Sequence, residues 1–103
     1  MIKYFIYNCN RGGDNLKTLN VELKNETGLH ARPASLFIRE ASKYTSDIVV
    51  IKDDNEYNGK SIMGILSMGA TKGDNLTIKI KGEDEQEAYG GLKELFQNEF
   101  GEK

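Results

Sequence analysis

The sequence contains only one cysteine and one histidine among its 103 residues. A disulfide needs two cysteines, so Cys9 cannot form one within the chain, which fits a reducing compartment such as the cytoplasm. One cysteine and one histidine also fall short of the nitrogen and sulfur ligands that a zinc site uses. We therefore expect a cytoplasmic protein with no metal site, and nothing in the sequence predicts a cofactor.

Neither an excess of one charge nor a long apolar run is present. Lys and Arg number 14 against 16 Asp and Glu, a formal net charge of −2, and no dense basic cluster predicts a nucleic-acid partner. No apolar run approaches the length of a membrane span, and residues 1–7 are too short and too polar at their flanks for a signal peptide. We expect no membrane insertion and a single domain with one modest core.

Segments with the apolar spacing of strands alternate along the chain with segments that have the apolar spacing of helices. Alternating apolar and polar residues, or β-branched runs, predict strands at 18–24, 46–52, 56–58 and 76–80. Helical spacing of apolar residues predicts helices at 31–44, 61–69 and 84–99. The order β-α-β-β-α-β-α is typical of an α+β fold whose helices cover one face of an antiparallel sheet.

Residues 1–17 form an N-terminal extension to a domain predicted at 18–103. Tyr4–Tyr7 has the composition of a strand, and Asn10–Asn15 is flexible by composition. Three interpretations of the extension stay open: an additional edge strand, a partner-binding arm, or a disordered segment.

The histidine lies in Gly28-Leu29-His30-Ala31-Arg32-Pro33-Ala34, where the first helix is predicted to begin. The first N–H groups of a helix have no internal partner and carry the positive end of the helix dipole, so those of Ala31 and Arg32 can hold an anion. Arg32 can add a fork of charged donors, and Pro33 suits the first turn of a helix. This chemistry favours a phosphohistidine at His30. A lone histidine is more often a surface residue, and counting alone does not exclude a Ser–His–acid triad, although no nucleophile-elbow motif is present.

Ser61 opens a short, strongly apolar helix. Its hydroxyl is predicted to cap that helix, and Ile65 and Met68 are predicted to join the core. We expect an exposed apolar patch for partner binding, made of Ile62, Met63 and Leu66. Leu36, off the apolar stripe of the first helix, is a further candidate for an exposed contact. A phosphate on Ser61 would add about −1.5 to −2 charge beside this patch with little change in fold.

The His30 segment, followed by Lys60-Ser61-Ile62-Met63-Gly64, resembles HPr, the histidine-containing phosphocarrier family of the sugar phosphotransferase system. The resemblance covers residues 18 to about 100, including the 31-residue separation of His30 and Ser61. It implies an HPr-like open-faced β-sandwich, in which three helices pack on a four-stranded antiparallel sheet.

The resemblance also implies roles. His30 would accept a phosphoryl group from enzyme I and pass it to an enzyme IIA domain, with Arg32 and the backbone of Ala31 and Arg32 binding the phosphate. The protein would be a carrier and not an enzyme. Ser61 resembles the serine that HPr kinase/phosphorylase modifies in Gram-positive members, after which the protein would bind a catabolite-control transcription regulator.

Two other functions compete with the phosphocarrier. A regulatory paralogue of the Crh type would act through phosphorylated Ser61, although the resemblance implies that such paralogues lack the active histidine, which is present here. An RNA-binding sandwich would need stacking aromatics and a basic face, and neither is evident. The sequence departs from the family pattern at Gly59, at Leu66, where many members have methionine, and at Gly90-Gly91.

Overall fold

The computed structural model describes residues 16–101. It contains four strands: β1 (Lys17–Glu22), β2 (Asp47–Lys52), β3 (Asn55–Asn58) and β4 (Asn75–Lys81). Its α-helices are α1 (Ala31–Ala41), α2 (Ile62–Ser67) and α3 (Glu85–Gln97), and a 3₁₀ turn follows at Glu99–Gly101. The order predicted from the sequence is confirmed, with bounds that differ by a few residues. The strand predicted at Tyr4–Tyr7 and the loop predicted at Asn10–Asn15 lie outside the described residues.

The four strands form one antiparallel sheet in the order β1-β4-β2-β3. Leu19 of β1 and Val50 of β2 both lie opposite Ile78 of β4, so their side chains share a face of the sheet. Along β4, buried residues alternate with half-buried ones, as expected when one face of the sheet is covered. The predicted α+β open-faced sandwich is therefore confirmed.

The core lies between the sheet and the helices. Its aromatic part consists of two edge-to-face pairs that share Phe96 of α3. The ring centroid of Phe96 lies 5.9 Å from that of Phe37 and 5.0 Å from that of Phe100. Such pairs add about 0.5–1.5 kcal/mol to the free energy of burial. These contacts join the end of α3 and the 3₁₀ turn to α1, the helix that begins after the histidine.

The end of α3 differs from the helix that the sequence predicts, and the two adjacent glycines within α3 have different surroundings. The predicted helix 84–99 is interrupted at Asn98, and Phe100 has a positive φ of 54°. Gly91 lies close to the Tyr44 hydroxyl and the Glu40 carboxylate, and a Cβ there would make both side chains shift. Apart from its chain neighbours and the backbone of its own helix, no described atom lies within 4 Å of a Cβ placed on Gly90, so nothing else among residues 16–101 explains the second glycine.

Asp84, just before α3, connects two distant parts of the chain. Its side chain does not cap α3. Its carboxylate accepts hydrogen bonds from the backbone N–H groups of Thr45 and Ser46, at 2.8 and 2.9 Å, and from the Ser46 hydroxyl. The bond from the Ser46 hydroxyl, followed by that from the Thr45 N–H, lowers the pKa of Asp84. The carboxylate thus holds the turn between α1 and β2 against the start of α3.

We predict that Asp84→Asn lowers the free energy of unfolding at neutral pH, because an amide cannot accept all three hydrogen bonds. A carboxyl group whose pKa is lowered by folding stabilises the protein above its unfolded pKa of about 3.9, and the stabilisation is lost as pH falls through the folded pKa. Urea unfolding of both proteins from pH 7 to pH 2 should therefore show a difference that shrinks below about pH 4. Glu83→Gln, at the adjacent exposed carboxylate, is the control; an equal loss there would contradict the assignment to Asp84.

Candidate functional site

His30 occupies the N-cap position of α1, where the sequence placed it. Its backbone is extended, with φ −81° and ψ −167°, and its carbonyl oxygen accepts a hydrogen bond from the Ala34 N–H at 2.8 Å. The His30 side chain is exposed and makes no capping hydrogen bond to the helix. The imidazole is therefore accessible to a partner protein.

The first turn of α1 leaves two N–H donors available. Within residues 16–101, the N–H groups of Ala31 and Arg32 donate no hydrogen bond, and Pro33 has no N–H. No acidic side chain lies in this first turn, whereas Glu85 and Glu87 lie in the first turn of α3. The positive end of the α1 dipole is thus not neutralised internally, and an anion bound there would meet both donors.

Arg32 adds a charged donor to the same turn. Its side chain is exposed and forms no salt bridge with any residue in the described range. Because a guanidinium can donate two parallel hydrogen bonds to an oxyanion, a side chain without an internal carboxylate partner suits an incoming phosphate. His30, Arg32 and the backbone N–H groups of Ala31 and Arg32 therefore all belong to the start of α1.

The loop before α1 is fixed by a left-handed glycine. Gly28 has a φ of +60°, and a Cβ there would lie 2.6 Å from the carbonyl oxygen of Ala70. That oxygen accepts a hydrogen bond from the Leu29 N–H at 3.1 Å. The buried Asn25 amide donates to the Gly28 carbonyl oxygen at 2.8 Å. The residues that precede His30 are thus docked on the loop after α2, and sequence reasoning missed this docking; the isolated glycine before Leu29-His30 was its only signal.

Ser61 caps α2 as predicted. Its hydroxyl accepts a hydrogen bond from the Gly64 N–H at 3.1 Å, and the residue is half-buried. The neighbouring Lys60 ammonium donates to the carbonyl oxygen of Tyr44, beyond the end of α1, at 2.6 Å. This bond holds the start of α2 against the end of α1, and the two helices pack together.

The Lys60 bond to Tyr44 was not evident in the sequence. Neither was the bond of the Tyr44 hydroxyl, which donates to the Glu40 carboxylate at 2.7 Å. Partial burial, followed by this hydrogen bond, raises the pKa of Tyr44 to about 12, so the hydroxyl stays a neutral donor at physiological pH.

The apolar side chains of α2 and its C-cap divide into a buried and an exposed set, as predicted. Ile65 and Met68 are buried, while Ile62, Met63 and Leu66 are 38%, 76% and 41% exposed. Three large apolar side chains exposed on a helix of two turns are typical of a surface that contacts another protein.

The Leu36 side chain is less exposed than the sequence predicts. It is only partly exposed and packs against the core. Because α1 packs against both α2 and α3, its buried surface is wider than the single stripe read from the sequence. Leu36 can contribute the edge of a contact surface, but not a fully exposed side chain.

The described residues contain neither a metal-binding cluster nor a membrane-spanning helix. In residues 16–101, no group of three or more His, Cys, Asp or Glu side chains is placed to hold a metal ion. No helix in this part of the chain has the length and apolar character needed to cross a bilayer.

The chain matches known proteins over most of its length. A family model described as the PTS HPr component phosphorylation site matches residues 17–98. The chain belongs to the HPr family. The HPr-like protein Crh of Bacillus subtilis is 47% identical over 79 residues, which cover 77% of this chain and 93% of that protein. Phosphocarrier protein HPr of Treponema pallidum is 41% identical over 83 residues, which cover 81% of this chain and 94% of that protein.

A solved HPr structure has the same fold. The crystal structure of HPr-C-His from Thermoanaerobacter tengcongensis superposes with a TM-score of 0.82 and 48% identity, over 84% of this chain and 98% of that one. The protein is therefore an HPr-family phosphocarrier, and such proteins are carriers and not enzymes.

The departure from the family pattern at Gly59 has a local reason in this protein. A Cβ on Gly59 would lie 2.5 Å from a methyl carbon of Ile48.

We predict that Gly28→Ala lowers the free energy of unfolding by about 2–4 kcal/mol, since strain at positive φ adds to the overlap with Ala70. Gly69→Ala is the matched control, because Gly69 has a similar φ of +65° and no described atom beyond its chain neighbours lies within 4 Å of the Cβ position. It should lose only about 1 kcal/mol. Chemical denaturation measures both, and equal losses would show that the contact with Ala70 relaxes without cost.

Proposed function

We propose that this protein carries phosphoryl groups in the cytoplasm, accepting them on His30 from phosphorylated enzyme I and passing them to enzyme IIA domains. One observation carries the proposal: an exposed imidazole at the start of a helix whose first two N–H groups are unpaired among residues 16–101. A carrier must be reached by its donor and by its acceptor in turn, and an exposed side chain at a helix end allows both.

The transfer requires no cofactor. A ring nitrogen of His30, expected from the family resemblance to be Nδ1, forms a bond to phosphorus as the bond between phosphorus and enzyme I breaks. The phosphoryl oxygens then lie near the N–H groups of Ala31 and Arg32 and within the range of a guanidinium. Transfer to enzyme IIA reverses these steps, and the unmodified imidazole is regenerated.

The exposed side chains of α2 supply the docking surface in this proposal. Ile62, Met63 and Leu66 are exposed on α2, which packs against α1, and Leu36 is partly exposed on α1. Methionine and leucine side chains adapt to different partners, so the same surface can bind enzyme I and enzyme IIA in succession.

Regulation at Ser61 is the second part of the proposal. The Ser61 hydroxyl already lies at the α2 N-cap, where a phosphate would be favoured by the helix dipole and could bind the Gly64 N–H. Such a phosphate would place negative charge next to Ile62 and would disfavour enzyme I. We propose that HPr kinase/phosphorylase adds it with ATP, and that the modified protein binds a catabolite-control transcription regulator.

A Crh-type regulatory protein is the alternative function. The 47% identity to Crh of Bacillus subtilis favours it. Such a protein would work through Ser61 and would not need a phosphorylated histidine. The presence of His30 at an unneutralised helix start favours the phosphocarrier.

We predict that phosphoenolpyruvate and enzyme I label His30 with acid-labile phosphate, and that His30→Ala reduces this labelling to background. Ser61→Ala is the control and should be labelled as the unmodified protein is, because it keeps the imidazole and the first turn of α1. Mass mapping after the incubation measures both. An unlabelled unmodified protein would support the Crh-type function instead.

A parallel incubation with HPr kinase/phosphorylase and ATP should give acid-stable phosphate on Ser61. Ser61→Ala should remove it, whereas Ser67→Ala, at an exposed serine near the other end of α2, should retain it. The serine-phosphorylated protein should then accept phosphate from enzyme I more slowly. Equal rates for the two forms would contradict the proposed regulation and leave the assignment of His30 untouched.

A further inference from the structure

Asn25 is a buried polar residue in the loop between β1 and α1. It is only 2% exposed, and among residues 16–101 the one other buried polar residue is Ser46, which donates to the Asp84 carboxylate. A polar group inside a protein is costly unless it is hydrogen-bonded, so a buried amide is informative through the groups that it binds. The amide of Asn25 binds the segment that leads to His30.

The peptide unit between Gly28 and Leu29 is held at both of its polar ends. The Asn25 side-chain amide donates to its carbonyl oxygen at 2.8 Å, and its N–H donates to the Ala70 carbonyl oxygen at 3.1 Å. The Gly28 N–H donates in turn to the Asn25 carbonyl oxygen at 3.2 Å, which closes a turn over residues 25–28. Rotation of this peptide plane would change ψ of Gly28 and φ of Leu29, and the bonds at its two ends oppose that rotation.

This peptide unit lies directly before the phosphorylation site. Leu29 is buried, and the His30 side chain, next along the chain, is exposed. On the helix side, the His30 carbonyl oxygen accepts a hydrogen bond from the Ala34 N–H. The backbone is therefore held on both sides of the imidazole. Without the Asn25 bond, the glycine at position 28 would give the preceding segment a wider choice of conformations.

We propose that Asn25 is a positioning residue for phosphoryl transfer, an inference that rests on the proposed function. Because it is buried, Asn25 acts through the Gly28 carbonyl oxygen and not on the phosphoryl group. The bond keeps the His30 ring in one arrangement relative to the N–H groups of Ala31 and Arg32. Such positioning affects the rate of transfer more than the binding of a partner, since a displacement of about 1 Å can lower a rate by about a hundredfold.

Transfer from enzyme I with phosphoenolpyruvate, measured at several carrier concentrations, tests the proposal. Asn25→Leu keeps much of the buried volume and removes the donor. We expect kcat to fall about tenfold or more and KM to stay within about twofold, because the exposed side chains of α2 are unchanged. Asn25→Ala should show the same separation, so the result does not depend on one substitution.

Asp84→Asn is the matched control. It weakens hydrogen bonds to the turn beyond the other end of α1, and it is predicted to lower the free energy of unfolding. It should nevertheless keep both kcat and KM, because it leaves the loop before α1 intact.

Nuclear magnetic resonance gives a second measurement that needs no enzyme I. In the unmodified protein, the side-chain amide protons of Asn25 should exchange with water more slowly than those of the exposed Asn75. The backbone amides of residues 29–31 should give one set of signals. In Asn25→Leu these signals should broaden or double, while those of residues 45–46 should remain single.

Four results would overturn the proposal. An unchanged kcat in both Asn25 variants would show that the amide does not position the imidazole, and a raised KM with unchanged kcat would show that it acts on docking. An equal fall in kcat for Asp84→Asn would show that the rate follows stability. Asn25 side-chain protons that exchange as fast as those of Asn75 would show that the bond to Gly28 does not persist.

Failure of the proposed function would give a different result. In that case the unmodified protein would accept no phosphate from enzyme I, whereas the spectra would still decide separately whether Asn25 holds the loop before His30.

Discussion

The proposed function depends on two backbone N–H groups at the start of α1 that are unpaired among residues 16–101. A helix always leaves its first donors without internal partners, but most proteins satisfy them with a side-chain cap or an acidic residue. Here the N-cap residue is His30, whose side chain makes no cap, and the first turn has no carboxylate. The loop that precedes this helix start is held in place by the close approach of Gly28 to Ala70 and by the hydrogen bond from the Leu29 N–H to the Ala70 carbonyl oxygen.

The packing of the helices also connects His30 with Ser61, the two modification sites of the proposed function. Lys60 binds the carbonyl of Tyr44 beyond the end of α1 and so holds the start of α2. A charge added at Ser61 therefore appears on a helix that packs against the helix of His30. In the proposed function this needs no conformational change, since the two sites communicate by sharing a docking surface, and the added charge changes which partner can use it.

Local patterns in the sequence predict most of the fold and the positions of His30 and Ser61 at helix starts. Strict alternation in 18–24 and 76–80 and helical spacing in 31–44 identify elements whose side-chain period reflects one buried face. The predicted exposure of Met63 and burial of Ile65 are also confirmed, because a helix of two turns cannot bury every apolar residue. The exposure of Leu36 was predicted less well, because its burial depends on two neighbouring helices whose positions cannot be read from the spacing of residues in one helix.

The sequence by itself determined the order of the elements, the position of His30 at a helix start and the cap at Ser61, because each depends on residues within a few positions of one another. Only the tertiary structure decided what holds these pieces together. The Asp84 carboxylate binds Thr45 and Ser46, and Gly91 makes room for Tyr44. These contacts join residues nearly 40 or more positions apart, and their partners are set by how the helices pack on the sheet, which no short-range pattern encodes.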